Sequence, residues 1–266
     1  MKFIATTIVL NCAFFKAISA LPTGPLMFRQ DTCPLNVLSC SIGSPRANTC
    51  CVPKYGLVVL AQQWHPELGP MNEFTLHGLW PDQCGGSMVS FCDRKPDRDH
   101  DRQLTDVESR LEQTDIYDDM KKYWPSYLPT PEHPNNNKFW YKEWNKHGTC
   151  ITTLEPRCGY NDDRDLYAYF NTTLALRKEY NIYNALEKAD ITPKPSFGMD
   201  PTEEDMYSVD AILAAIEDEW HVKGSVYCKE GLPLEVNVAH IFGTIGCIDI
   251  VQKTDSPNLN LPDRAK

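Results

Sequence analysis

This 266-residue chain has no excess of positive charge: 26 lysines and arginines stand against 36 acids, giving a formal charge of −10. That excludes a broad phosphate-grasping surface, because nonspecific nucleic-acid binding is built from many Lys and Arg contacts. A polyanionic partner must therefore be held at a local site. Nowhere does an apolar run reach bilayer-spanning length, so no membrane anchor is expected. There is also no C-x-x-C pair, and the adjacent Cys50 and Cys51 are poorly placed to ligate one tetrahedral ion, so no metal and no other cofactor is expected. Neither an internal repeat nor a long low-complexity tract occurs. With 42% apolar and 23% charged residues, the composition is that of one ordinary globular domain.

At the N-terminus, Lys2 precedes the mostly apolar "FIATTIVLNCAFF", and the small residues of "AISA" lead into "LPTGP". This pattern predicts a secretory signal peptide over residues 1–20, although Thr6, Thr7, Asn11 and Lys16 interrupt its apolar region. Its removal takes Lys2 and Lys16 with it, changing the formal charge from −10 to −12. Of the 11 cysteines, Cys12 lies in the signal, leaving an even number at 33, 40, 50, 51, 84, 92, 150, 158, 228 and 247. Such a set predicts five disulfides formed in an oxidising compartment. Export also makes Asn171, in Asn171-Thr172-Thr173, a candidate glycosylation acceptor. The expected location is extracellular, or a vacuolar or lysosomal lumen reached through the secretory pathway.

"YGLVVLAQQW" reads as a buried strand, and "EFTLHGLWPDQC", which sets Phe74 and Leu76 against Thr75 and His77, as its neighbour. The charged stretch from Asp93 to Asp119 reads as a solvated loop followed by a helix. Helices are predicted at 116–124, 138–147, 163–177, 180–188 and 203–218, the last with Met206, Val209, Ile212, Leu213 and Ile216 on one stripe. Strands return in "GSVYCKE", "LEVNVAHIF" and "IGCIDIV". Because strands and helices do not alternate, the expected fold is α+β, an antiparallel-rich central sheet with several flanking helices. One domain is expected over residues 21–252, followed by a loose tail over 253–266.

Two clusters carry chemistry. In "FWYKEWNKHGTC", Phe139 to Cys150, helical spacing places Glu143 beside Lys146 and His147, with Phe139 on the same stripe and Lys142 beside Lys146. A solvated ladder of ion pairs would explain Glu143, but not Trp140, Trp144 and Cys150 pinning the helix into a core. Nor would it explain the like-charged pair Lys142 and Lys146. Two lysines and a histidine held together make sense if an anion sits among them. In "HGLWPDQC", His77 ends a buried strand, where a histidine is more often structural than catalytic. Beside it Gly78 permits close backbone approach, Trp80 offers a flat face and Asp82 an acceptor.

Taken together, "FTLHGLWPDQC" and "FWYKEWNKHGTC" resemble the two active-site segments of the ribonuclease T2 family, in the right order and spacing. The ten-cysteine framework resembles the fungal branch, and the likeness runs from Cys33 to Cys247. The resemblance implies an α+β secreted or vacuolar endoribonuclease, metal-independent, of low base specificity and acidic optimum. It implies His147 as general base, His77 as general acid, Lys146 as charge for the phosphorane, and Glu143 as an orienting or proton-donating group. Lys142 takes a phosphate-binding position, and Trp80, Asp82 and Phe139 contact the flanking bases. The implied pairing is Cys33 with Cys51, Cys40 with Cys84, Cys50 with Cys158, Cys92 with Cys150, and Cys228 with Cys247.

By the same resemblance the partner is single-stranded RNA, with no DNA cleavage, and the protein acts as a monomer. Two positions depart from the fungal pattern: Lys142 stands where relatives often carry histidine, and Met88 where they often carry a base-stacking tyrosine. The competing class is a catalytically silent secreted binding or signalling protein on the same scaffold. A missing histidine would favour it, whereas His77 and His147 are both present.

Overall fold

The computed structural model describes residues 33, 37–64, 69–93, 102–126, 135–192, 207–229 and 232–241. The predicted signal peptide, the C-terminal tail, Cys247 and the strand "IGCIDIV" lie outside the described residues.

Strands β1 (Leu57–Gln63), β2 (Thr75–Asp82), β3 (Gly224–Lys229) and β4 (Leu232–Ile241) form one sheet in the order β2-β1-β4-β3. Every neighbouring pair is antiparallel. β1 is buried along its whole length between β2 and β4, which explains its near-continuous apolar run. Its two glutamines are accommodated by hydrogen bonds, Gln62 Nε2 donating to the Tyr180 carbonyl at 2.7 Å.

The β1/β2 register slips at the site. Ala61 pairs with Gly78 but Gln62 pairs with Leu76, so His77 is the extra residue of a β-bulge. The alternation expected from Phe74 to His77 therefore breaks at the histidine. Leu76 and Leu79, three residues apart, both enter the main core, while Trp80 packs with Val59 and Ala61 in a second small cluster. An odd spacing on one face is what an inserted residue produces.

Helices α1 (Glu108–Leu111), α2 (Tyr117–Tyr123), α3 (Asn136–Lys146), α4 (Arg164–Glu179), α5 (Ile182–Lys188) and α6 (Val209–Trp220) accompany the sheet. The Asn135 side chain caps α3 by accepting the Lys138 N–H at 2.9 Å, and Ser208 caps α6 by accepting that of Ala211 at 3.1 Å. That serine cap starts α6 at Val209, later than the predicted 203, and residues 203–206 lie outside the described residues. Val209 is 41% exposed rather than on the buried stripe, which consists of Ile212, Ala215 and Ile216. A residue in a helix's first turn need not face the core that its periodicity suggests.

Tryptophans knit the core. Trp124, Trp140 and Trp144 are fully buried with Tyr169 and Phe170. Each indole N–H also reaches a carbonyl: Trp140 that of Trp124 at 2.8 Å, Trp144 that of Arg102 at 2.7 Å, and Trp124 that of His77 at 3.0 Å. Buried indoles that satisfy their N–H in this way fix positions as well as fill space. Here they tie α3 through Trp124 to the bulge of β2.

The reading of Asp93 to Asp119 as solvated surface does not hold throughout. Asp93 and Arg102 are buried, the Arg102 Nε donating to Asp93 Oδ2 at 2.6 Å. The same guanidinium donates to the carbonyls of Thr149 at 2.6 Å and Leu154 at 3.3 Å, and lies 5.6 Å from the Trp144 ring. Val107 and Leu111 are likewise in the core.

Among the described residues four disulfides join Cys33 to Cys51, Cys40 to Cys84, Cys50 to Cys158 and Cys92 to Cys150. These are four of the five pairs the resemblance implies; the fifth involves Cys247, outside the described residues. Cys50 and Cys158 close the longest loop, 108 residues. The Cys50→Ala/Cys158→Ala double variant is expected to lose about 2–5 kcal/mol of unfolding free energy. Urea unfolding under oxidising conditions measures this, and an unchanged midpoint would contradict it.

Candidate active site

Three side chains from two elements meet around one carboxylate. Glu143 projects from α3 and is only 6% exposed. Its Oε1 lies 3.7 Å from Nε2 of His77 on β2, and its Oε2 lies 4.0 Å from Nε2 of His147. Oε2 also accepts the indole N–H of Trp80 at 2.9 Å. The carboxylate thus lies between the two imidazoles and is held by a neutral donor from the sheet.

Local sequence builds this arrangement. His77 occupies the bulge, a feature that re-aims side chains beside functional sites. Its ring stands edge-on to Trp80 at 5.0 Å and tilted against Phe139 at 5.7 Å. His147 is the C-cap of α3, its N–H donating to the Glu143 carbonyl at 2.9 Å, and its ring stacks on Trp80 at 5.2 Å between centroids. The 3-10 turn Gly148–Cys150 follows directly and is anchored by the Cys92–Cys150 bond. From the same loop Phe91 donates its N–H to the Lys146 carbonyl at 2.8 Å.

Both glycines of the two His-Gly pairs are required by close approach. A Cβ on Gly78 would come within 2.3 Å of Glu143 Oε2 and 2.5 Å of Trp80 Nε1. One on Gly148 would come within 2.3 Å of the Trp144 ring. Beneath the site, the fully buried Tyr169 donates its hydroxyl to the Leu79 carbonyl at 3.1 Å. Burial, then the Glu143 charge, push this phenol well above its ordinary range, so it stays a neutral donor.

The remaining candidates are dispersed around this centre. Lys146 is half-buried at the end of α3, and Lys142 is exposed one turn earlier. Trp80 and Phe139 are 6% and 7% exposed. Asp82 is buried at the end of β2, where its Oδ1 accepts the Val89 N–H at 3.4 Å and its backbone bridges Met88. Met88 itself is 55% exposed. Asn171 lies on the exposed face of α4. Among the described residues no cluster of three or more His, Cys, Asp or Glu side chains has a geometry that could hold a metal ion. No helix among them is long and apolar enough to cross a membrane.

Four contributors to the site escaped sequence reasoning: Trp124, Tyr169, Arg102 and the bulge. Arg102 alone carried a signal, since it lies among acids that could neutralise it on burial.

Two imidazoles set against one carboxylate, on a disulfide-tied α+β frame, are the equipment of an acid–base catalyst. Comparison with known proteins narrows the class. The family model for the Ribonuclease T2 family matches residues 47–249. Ribonuclease Rh of Rhizopus niveus is 38% identical over 222 residues, spanning 81% of this chain and 84% of its own. Ribonuclease T2 of Aspergillus oryzae is 34% identical over 216 residues, spanning 79% of this chain and 73% of its own. The crystal structure of Actibind, a T2 ribonuclease, superposes with a TM-score of 0.66 at 30% identity, covering 80% of this chain and 86% of that one. The chain belongs to the ribonuclease T2 family and is a T2-type endoribonuclease.

Proposed function

We propose that this protein cleaves single-stranded RNA by transphosphorylation, through a 2′,3′-cyclic phosphate to a 3′-phosphate end, with low base specificity and without metal. The supporting observation is the placement of Glu143 between His77 and His147. RNA supplies its own nucleophile, so the enzyme need only move two protons and steady the charge on phosphorus. In the first step His147 takes the proton from the 2′-hydroxyl as that oxygen bonds to phosphorus. The bond to the 5′-oxygen breaks, and His77 protonates the leaving oxygen. When water opens the ring the roles reverse: His77 accepts the proton of water and His147 returns one to the 2′-oxygen.

Lys146 lies next to His147 and supplies positive charge to the phosphorane, with Glu143 orienting both imidazoles or, protonated at acidic pH, donating to a phosphate oxygen. Lys142 holds phosphate as a cation. Trp80 and Asp82 face the base 5′ of the cut and Phe139 the base 3′ of it. Trp80 is already engaged by Glu143 and His147, and the side chain exposed beside Asp82 is Met88 rather than an aromatic ring. With fewer flat faces offered to a base, little discrimination between bases is expected. The protein works as a monomer, in the extracellular medium or in a lumen of the secretory pathway.

Incubation with RNA and with single-stranded DNA of matched sequence, both in EDTA, tests the reading. RNA is degraded and DNA left intact if the attacking group is the 2′-hydroxyl. Loss of RNA cleavage in EDTA, or equal cleavage of DNA, would overturn it.

A further inference from the structure

The lysines of α3 stand at regular intervals. Lys138, Lys142 and Lys146 are each four residues apart, and four residues of helix advance about 6 Å while turning about 40°. The three therefore form one gently curving row along the helix, ending beside His147. Lys138 and Lys142 are the two exposed side chains of α3, and its one acid, Glu143, is buried.

As a purely structural feature this row is unfavourable. Like charges at i and i+4 destabilise a helix by about 0.2–0.5 kcal/mol per pair. Lys138 also sits in the first turn, where the helix dipole disfavours a cation, whereas α1, α2, α4 and α6 each carry an acid in that turn. Several exposed cations elsewhere pair with acids, among them Arg110 with Asp163, Lys121 with Asp118 and Lys188 with Glu219. Among the described residues none of the three α3 lysines has such a carboxylate partner. Solubility does not call for them, because they reduce the net charge of a chain already at −10.

We infer that Lys138 extends the cation row of Lys146 and Lys142 into a rail for phosphates beyond the scissile one, so that longer oligonucleotides are cleaved in preference to dinucleotides. The inference rests on the ribonuclease reading. On an acidic protein such a cationic row also guides a polyanion along a track leading to the site. Each phosphate neutralised on a single strand contributes a slope of about −0.7 to the dependence of log affinity on log salt.

The test compares kcat/KM on a dinucleoside monophosphate and on a tetranucleotide, from low to high salt, for wild type, Lys138→Gln and Lys178→Gln. Lys178 is exposed at the far end of α4, so its variant removes the same charge off the row. For wild type the tetranucleotide is the better substrate and the more salt-dependent. Lys138→Gln makes the tetranucleotide slope shallower by about 0.7 and shrinks its advantage, whereas Lys178→Gln leaves both as in wild type. Equal slopes in wild type and Lys138→Gln, or the same loss in Lys178→Gln, would overturn the rail while leaving the ribonuclease reading intact. Failure of wild type to cleave either substrate would overturn that reading instead.

Discussion

His77→Ala and His147→Ala are each expected to lower kcat by about 10²–10⁴-fold, because on the proposed mechanism each removes one of two proton-transfer groups acting in the same step. The losses should fall on kcat more than on KM, since a proton transferred in the transition state contributes little to binding the ground state. The double variant should lose far less than the product of the single effects, as groups acting as a unit do. The two variants differ in stability. His77 is partly exposed at a bulge, and its loss should leave the melting temperature nearly unchanged. His147 is 1% exposed and stacked on Trp80, so its removal opens a cavity and lowers the melting temperature as well. Steady-state kinetics with parallel thermal melts check both. A folded variant that kept a tenth of wild-type turnover would remove that histidine from its assigned role.

Gly78→Ala should nearly silence the enzyme through a single methyl group. The new Cβ would overlap Glu143 Oε2 at 2.3 Å and Trp80 Nε1 at 2.5 Å, breaking the 2.9 Å hydrogen bond between them. Both obstructing atoms lie at the ends of side chains, so the protein still folds by moving them aside. Such a shift of the carboxylate disturbs both imidazoles at once, and misplacement by about 1 Å costs about 10²-fold. The expected result is a kcat lower by about that factor with circular dichroism unchanged. Activity within threefold of wild type would mean that the position of Glu143 matters little to the reaction. Ala61, which pairs with Gly78 across the sheet, already carries the methyl group that Gly78 cannot.

Sequence reasoning reached the parts of this architecture that depend on local pattern. The apolar run of β1, and the helical spacing that puts Glu143 beside His147, needed no partner to be read. The helix predicted at 138–147 is α3, with His147 as its cap, and that predicted at 163–177 is α4, which runs to Glu179. The parts that escaped depend on residues distant in the chain. The bulge at His77 exists only in the register of β2 against β1. The acids around Arg102 hint at its burial but not at where it goes, because two of its acceptors are carbonyls 47 and 52 residues away. The close approach anticipated at Gly78 acquired its meaning once Glu143, 65 positions later, was seen against it.

Trp80 shows how one residue type can be read two ways. Its flat face suggested stacking on a base, yet that indole is 6% exposed, donates to Glu143 and lies against His147. The sequence offers a ring; only the fold says which neighbours reach it first.

The central claim is that the 2′-hydroxyl attacks phosphorus with His147 and His77 moving the protons. Phosphorus NMR of a dinucleoside phosphate during turnover in EDTA tests it most directly. A 2′,3′-cyclic phosphate should accumulate and then decay to the 3′-phosphate, in wild type and not in His77→Ala or His147→Ala. Direct appearance of a 5′-phosphate or 3′-phosphate with no cyclic species, even in single-turnover samples, would contradict the account.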